Sequence, residues 1–283
     1  MTLIKKIKSN SIVALRRHWV KALSTVFLIL GMWLVFTMLE TLVSDLFNII
    51  PYASAVSGGD SRTSLVPEIS ALSVVSAAIS ALLAYIIFVP VSAGLRRFFS
   101  CVAYSKETQI FNLFYFFRIK KFFKILGLHL NVFGRSLLWL MLFFFPAVLL
   151  FFFSLQYGAI TLPISRLNDM ELTSLIMLAF CVAFALLALI FAIIFAGRYY
   201  LAVYILISNP TIKIRQCIKK SVYCTKGRLG DLFIFKLSFI LWFFSCAALV
   251  PLLFVLPYYS TACAIFAEYL IEHNRRYEIP KFN

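Results

Sequence analysis

The sequence predicts an all-α fold: a polytopic membrane helix bundle of about six transmembrane helices, with amphipathic interfacial helices on its cytoplasmic side. Three observations point there. Hydrophobic residues make up 63% of the 283-residue chain, charged residues only 13%, and mean hydropathy is +0.95. Soluble domains run at roughly 45–50% apolar and about 25% charged. A water-soluble fold of this size has too little interior to hide so much apolar area. The apolar residues fall in long runs, and the 27 Lys and Arg are gathered between those runs, against only 11 Asp and Glu. With 31 Phe and six Cys, neither a disordered chain nor a disulfide scaffold fits.

A helix needs about 20 apolar residues to cross hydrocarbon roughly 30 Å thick. Spans are predicted at 22–46, 69–95, 137–157, 172–197, 232–250 and 251–271, within one integral-membrane domain over 1–283. The first carries Glu40 and Asp45 near its far end. The second is uncharged and rich in Ala and Ser, and the third holds the Phe runs 143–145 and 151–153. The fourth stays apolar to Ile207, broken only by Arg198. The stretch 231–270 is long enough to cross twice, turning near Val250 and Pro251. One kinked helix is the alternative and leaves an odd number of spans.

Charge favours the even number. On a six-span threading, 25 of the 27 cations lie on one side, and only Arg62 and Arg166 on the other. The positive-inside rule then places both termini and the basic connectors 96–136 and 208–231 in the cytoplasm. Ala53-Ser54-Ala55 has the small-x-small look of a cleavage site, but the basic leader and apolar run before it are too long for a signal peptide. An uncleaved first span is expected. A net charge of +16 with pI near 9.8 invites a nucleic-acid reading. Cations ranged along one membrane face instead meet anionic headgroups, at about 1 kcal/mol each. The partners expected are therefore membrane lipids, anionic on the cytoplasmic face, with a membrane-protein partner or a second copy of the chain, and no nucleic acid.

The connectors look amphipathic. Residues 106–127 alternate cations with Ile110, Phe111, Leu113, Phe114, Phe117, Phe122 and Phe123 at roughly helical spacing, as in a helix lying in the interface. The alternative is an extension of the third span. The second connector opens on the turn signal Asn209-Pro210 and interleaves cations with Ile212, Ile214, Cys217, Ile218 and Val222. Gly227 and Gly230 are then expected to break it before Asp231 starts a helix with its charge at the positive end of the dipole. Candidate headgroup contacts are Arg118, Lys120, Lys121, Lys124, Lys213, Arg215, Lys219 and Lys220.

A further set of residues carries a resemblance. Asn209-Pro210, Lys220-Ser221, Lys226-Gly227, Leu232-Phe233, Ser238-Phe239, Trp242, Pro257-Tyr258 and Thr261 follow one another at intervals that resemble the C-terminal signature of the bacterial integral-membrane family called domain of unknown function 975. Upstream, Pro90 with Gly94, Leu113-Phe114 with Phe117, and Leu138-Trp139 with Pro146 are similar to its other landmarks. The resemblance covers about 90–270, and the first span matches in hydrophobicity alone. Ala147 stands where the family usually has Gly, and 158–171 looks like an added outward loop. The resemblance implies a bacterial cytoplasmic membrane and a compact helix bundle. The family has no agreed activity, so it assigns no site residue.

An ionisable group inside hydrocarbon costs about 2.5–3.5 kcal/mol and is a suspect for function by default. Arg198, Glu268 and Glu40 form the candidate polar core. Arg198 either lies buried and faces Glu268 or, if its span ends near Ala196, snorkels among aromatics. Glu40, near the outer end of its span, reads as a wetted carboxylate. Pro90, Pro146, Pro251 and Pro257 mark broken or kinked backbone. The small positions of span two, among them Ser73, Ala77, Ser80, Ala81 and Ala84, suit close helix packing. The six cysteines read as small apolar filler, and His18, His129 and His273 stand apart from them. No catalytic pair, nucleotide loop or metal-ligand spacing is present, so no enzyme, cofactor or metal is expected. Two functions remain: a membrane accessory or scaffold protein with lipid or partner contacts, or a small transporter or export component with a path near the broken helices and Arg198. Reporter fusions at the two termini are expected to lie on the same, cytoplasmic face; opposite faces would overturn the even-span threading.

Overall fold

The computed structural model describes residues 3–46, 71–104, 109–156, 172–240, 242 and 249–275. The small-x-small site at Ala53, the loops holding Arg62 and Arg166, Lys106, Cys246 and everything after 275 lie outside them. The structure is 92% helical with no strand among the described residues. Among the described residues, five helices are long and apolar enough to cross a membrane: Trp19–Ser44, Val74–Ala103, Ile119–Phe153, Ala179–Ser208 and Pro251–His273. In hydrocarbon the backbone must satisfy its own polar groups, and the helix does so locally. The expected 232–250 span is described only as a nine-residue helix and Trp242; most of the rest lies outside the described residues.

The chain divides into two compact units, one of residues 1–126 and 241–269, the other of 127–240 and 270–283. The first begins with α1 (Leu3–Arg16), whose buried Ile7, Ser11 and Leu15 recur every four residues on one face. The basic leader is thus an amphipathic helix. After a turn at Arg17 and His18 come α2 (Trp19–Leu46) and then α3 (Ala71–Ala103). Leu15, Ala22, Phe98, Phe99 and Val102 meet in a core flanked by Trp19 and Leu95, so the end of α1, the start of α2 and the end of α3 pack together. Phe36 on α2 meets Phe88 on α3 edge to face at 5.6 Å.

The first connector differs from the expected single interfacial helix. α3 runs on to Ala103, and α4 begins at Ile119 and continues without a break to Gln156. Between them lies a 3-10 helix, Ile110–Phe117, with Leu113 and Phe116 buried. Three-residue spacing puts these two on one face because side chains at i and i+3 eclipse in a 3-10 helix. Extended backbone at Arg118 (φ −67, ψ 129) separates this piece from α4, so 119–127 extends the third span. The 3-10 helix lies hard against α3. A Cβ on Gly94 would stand 1.9 Å from the Leu113 carbonyl oxygen.

The second unit holds the rest of α4, then α5 (Leu172–Ala196), a 3-10 turn Gly197–Tyr199, α6 (Ala202–Ser208), α7 (Ile214–Thr225) and α8 (Leu229–Leu237). Every residue from Ala202 to Leu206 is buried, so the apolar run after Arg198 serves as the unit's core and packs on α7. α7 buries Cys217, Ile218, Ser221, Cys224 and Thr225 and turns Lys213, Arg215 and Lys219 outward. It stops before Gly227, whose φ of +77 only glycine adopts freely. Gly230 lies inside α8, so one glycine makes the break, and Asp231 sits in the first turn as expected.

α9 (Leu249–Arg275) is the most enclosed span, half of it buried against 6–17% for the others. Pro251 falls in its first turn, where the missing N–H costs nothing. Residues 241 and 243–248, on which the choice between a hairpin and one kinked helix turns, lie outside the described residues. Replacing Gly94 by Ala forces the 3-10 helix off α3, and a loss of about 1–3 kcal/mol or more is expected. The same change at Gly31, which has open space around it, is expected to be neutral or stabilising by up to about 1 kcal/mol. Thermal unfolding in detergent compares the two.

Candidate functional site

In the first unit three elements bring a tyrosine and two cations together. Arg97 comes from the last turns of α3, Tyr115 from the 3-10 helix and Lys121 from the first turn of α4. The Arg97 Cζ lies 3.2 Å and the Lys121 Nζ 3.5 Å from the Tyr115 ring centroid. Contacts of this kind contribute about 0.5–2 kcal/mol each. They do not neutralise the charges. Two cations held against one ring repel by an amount on the order of 1–2 kcal/mol, between the limits for water and for a protein surface. Arg97 Nε is buried without a hydrogen-bond partner, and among the described residues no carboxylate pairs with either cation. Burial alone would raise the Tyr115 phenol, but Lys121 and Arg97 beside it bring it below its ordinary value.

The neighbourhood is apolar yet open. Phe111 is 82% exposed, Ile119 77% and Phe123 69%, interspersed with the exposed cations Arg118 and Lys120. Lys124 is half-buried on the same helix.

In the second unit the chain changes helix type at Arg198. The Arg198 carbonyl accepts hydrogen bonds from Ser221 Oγ at 2.7 Å and Thr225 Oγ1 at 3.4 Å, both hydroxyls fully buried on α7. Its guanidinium lies 4.4 Å from the Phe195 ring and 5.4 Å from that of Trp139. The Trp139 indole N–H donates to Tyr199 Oη at 3.2 Å. Phe143 and Phe191 continue this aromatic ladder between α4 and α5. Lys236 on α8 reaches the Tyr200 ring at 5.3 Å. Arg228 ties the start of α8 to its first turn and to the end of α9, through Asp231 at 3.3 Å and His273 Nε2 at 3.0 Å.

Of the three residues expected to form a polar core, Glu40 and Glu268 belong to the first unit and Arg198 to the second. α5 ends at Ala196, the arrangement under which Arg198 sits among aromatics. Arg198 and Glu268 fall in different units, each half-buried. Glu40 is exposed and accepts a hydrogen bond from Ser80 Oγ, joining α2 to α3. Of the eight headgroup candidates, Arg118, Lys120, Lys213, Arg215 and Lys219 are exposed, Lys124 and Lys220 half-buried, and Lys121 is drawn onto Tyr115. Arg97, Tyr115, Ser221 and Thr225 were missed. An Arg-Arg pair at a span end and a phenol among phenylalanines were the only local signals for the first two. No group of three metal-ligating side chains occurs among the described residues.

Several landmark residues now have structural roles. Gly94 admits Leu113, Gly227 ends α7, and Ser221 holds Arg198. Thr261 Oγ1 donates to the Pro257 carbonyl at 2.8 Å, and Trp242 meets Tyr258 edge to face at 6.2 Å. The family model described as "Protein of unknown function (DUF975)" matches residues 1–274, and the chain belongs to that family. The match takes in α1 and α2, where the landmarks alone gave only hydrophobicity. No curated protein and no solved structure matches. Ser221→Ala leaves the Arg198 carbonyl with the longer Thr225 bond alone, and a loss of about 1–2 kcal/mol is expected. Thr225→Val is expected to cost less, and thermal unfolding of the two variants gives the order.

Proposed function

We propose that this DUF975 member is a non-enzymatic accessory or scaffold protein of the bacterial cytoplasmic membrane, with both termini inside and basic segments contacting anionic lipid or a membrane-protein partner. The observation that carries the reading is the mixture of exposed rings and exposed cations within 111–124. Rings of this kind suit the boundary between acyl chains and headgroups, and the cations beside them suit anionic headgroups. The outward cations of α7 add a second basic face of the same chemistry.

Arg198 supports this reading over a transport path. Its carbonyl is held by two buried hydroxyls and its guanidinium rests on rings, which suits an anchor better than a gate. The apolar groove between α4 and α5, about 210 Å³ with Ser136 its one polar lining residue, offers a polar substrate little to bind.

Reversing Lys120, Lys121 and Lys124 to Glu is expected to weaken binding of phosphatidylglycerol to the detergent-solubilised protein by at least about tenfold, at roughly 1 kcal/mol for each cation lost. The loss shrinks at high salt as the remaining charges are screened. Native mass spectrometry counts the bound lipid, and unchanged binding would remove the lipid-contact reading.

A further inference from the structure

The cations on Tyr115 are arranged differently from those at the other basic positions. Lys120 and Lys219 stand out in solvent on flexible stems, where a headgroup contact has to freeze each side chain. Arg97 and Lys121 are already fixed against a ring, 3.2 and 3.5 Å from its centroid. Their ordering is in place before any ligand arrives, and preorganisation of this kind favours binding. The Arg97 Nε–H has no acceptor, and neither charge has a carboxylate among the described residues. The same two cations bring the Tyr115 phenol below its ordinary value.

A ligand suited to this arrangement carries negative charge and several acceptor oxygens on one centre. Guanidinium N–H groups pair with two phosphate oxygens at once, and an ammonium takes a third as a point charge. The apolar surroundings narrow the source. Exposed Phe111, Ile119 and Phe123 offer a surface for acyl chains, which a free phosphate does not need.

We propose that Arg97, Tyr115 and Lys121 form a binding site for the phosphate group of an anionic phospholipid, whose acyl chains lie along the exposed rings beside it. The proposal rests on the lipid-contact reading above and goes further in assigning the chemistry to three residues, two of which, Arg97 and Tyr115, are not among the headgroup contacts read from the sequence.

The test uses the full chain in detergent, titrated with short-chain phosphatidylglycerol, with phosphatidylcholine and inorganic phosphate as separate arms. Arg97→Gln and Lys121→Gln are each expected to weaken phosphatidylglycerol binding about fivefold or more. Tyr115→Phe should weaken it by a smaller factor, and Lys120→Gln, on the exposed neighbour, should change it least. Should Arg97→Gln fail to fold, a fluorotyrosine at position 115 in the otherwise unchanged protein serves instead. Its fluorine resonance is expected to shift on adding phosphatidylglycerol and to stay put on adding phosphatidylcholine. Equal losses for Lys120→Gln and Lys121→Gln, or an unmoved resonance with lipid bound, would overturn this site and leave the broader lipid reading standing. Wild-type protein that does not prefer phosphatidylglycerol to phosphatidylcholine would overturn both. Inorganic phosphate binding as tightly as the lipid would overturn the lipid assignment in favour of a free anion.

Discussion

Hydrocarbon offers no hydrogen-bond partner, so each polar group within a span has to find one inside the protein. This constraint governs the chain at every level. The backbone answers it by forming helices, and hydroxyls answer it by turning back on the helix that carries them. Ser24 bonds to the Val20 carbonyl, Thr25 to Lys21, Thr37 to Leu34, Thr41 to Met38 and Ser92 to Val89. Such bonds satisfy the hydroxyl without a partner on another helix. The exceptions are then informative. Ser80 reaches Glu40 across two helices, and Ser221 leaves its own helix for the Arg198 carbonyl.

A second constraint follows from composition. With 27 cations and 11 acids, most positive charges in this chain have no carboxylate to meet. The 13 Tyr, 31 Phe and four Trp supply another kind of partner. Arg97 and Lys121 rest on Tyr115, Arg198 on Phe195 and Trp139, and Lys236 on Tyr200. A ring orients a cation and tolerates its burial, but the net charge remains. Arg228, by contrast, is paired with Asp231. That ion pair bears on how α8 begins.

Much of the fold was legible because it depends on local signals. The structure is helical as expected, and among the described residues five of its helices are long and apolar enough to span a membrane, where about six were expected. Gly227 and Asp231 did what their chemistry suggested. The errors came where periodicity was ambiguous. The third span was expected to start at 137 because cations from Arg118 to Arg135 looked like a connector, but a helix carries exposed Lys and Arg without ending. The aromatic stretch 110–117 was expected to be α-helical, yet its buried positions are three apart and it forms a 3-10 helix. α1 was overlooked because its buried face holds Ser11 as well as Ile7 and Leu15.

The sequence by itself determined that the chain is a helical membrane protein, because hydrophobic length and composition are properties of each segment and need no neighbour. It located the basic stretches for the same reason. Only the tertiary structure decided which cations act together. Arg97 and Lys121 start from different helices and meet at Tyr115 because Gly94 lets the 3-10 helix close onto α3 and the backbone turns at Arg118. That convergence depends on how helices are rotated and spaced against one another, which no local pattern of residues records.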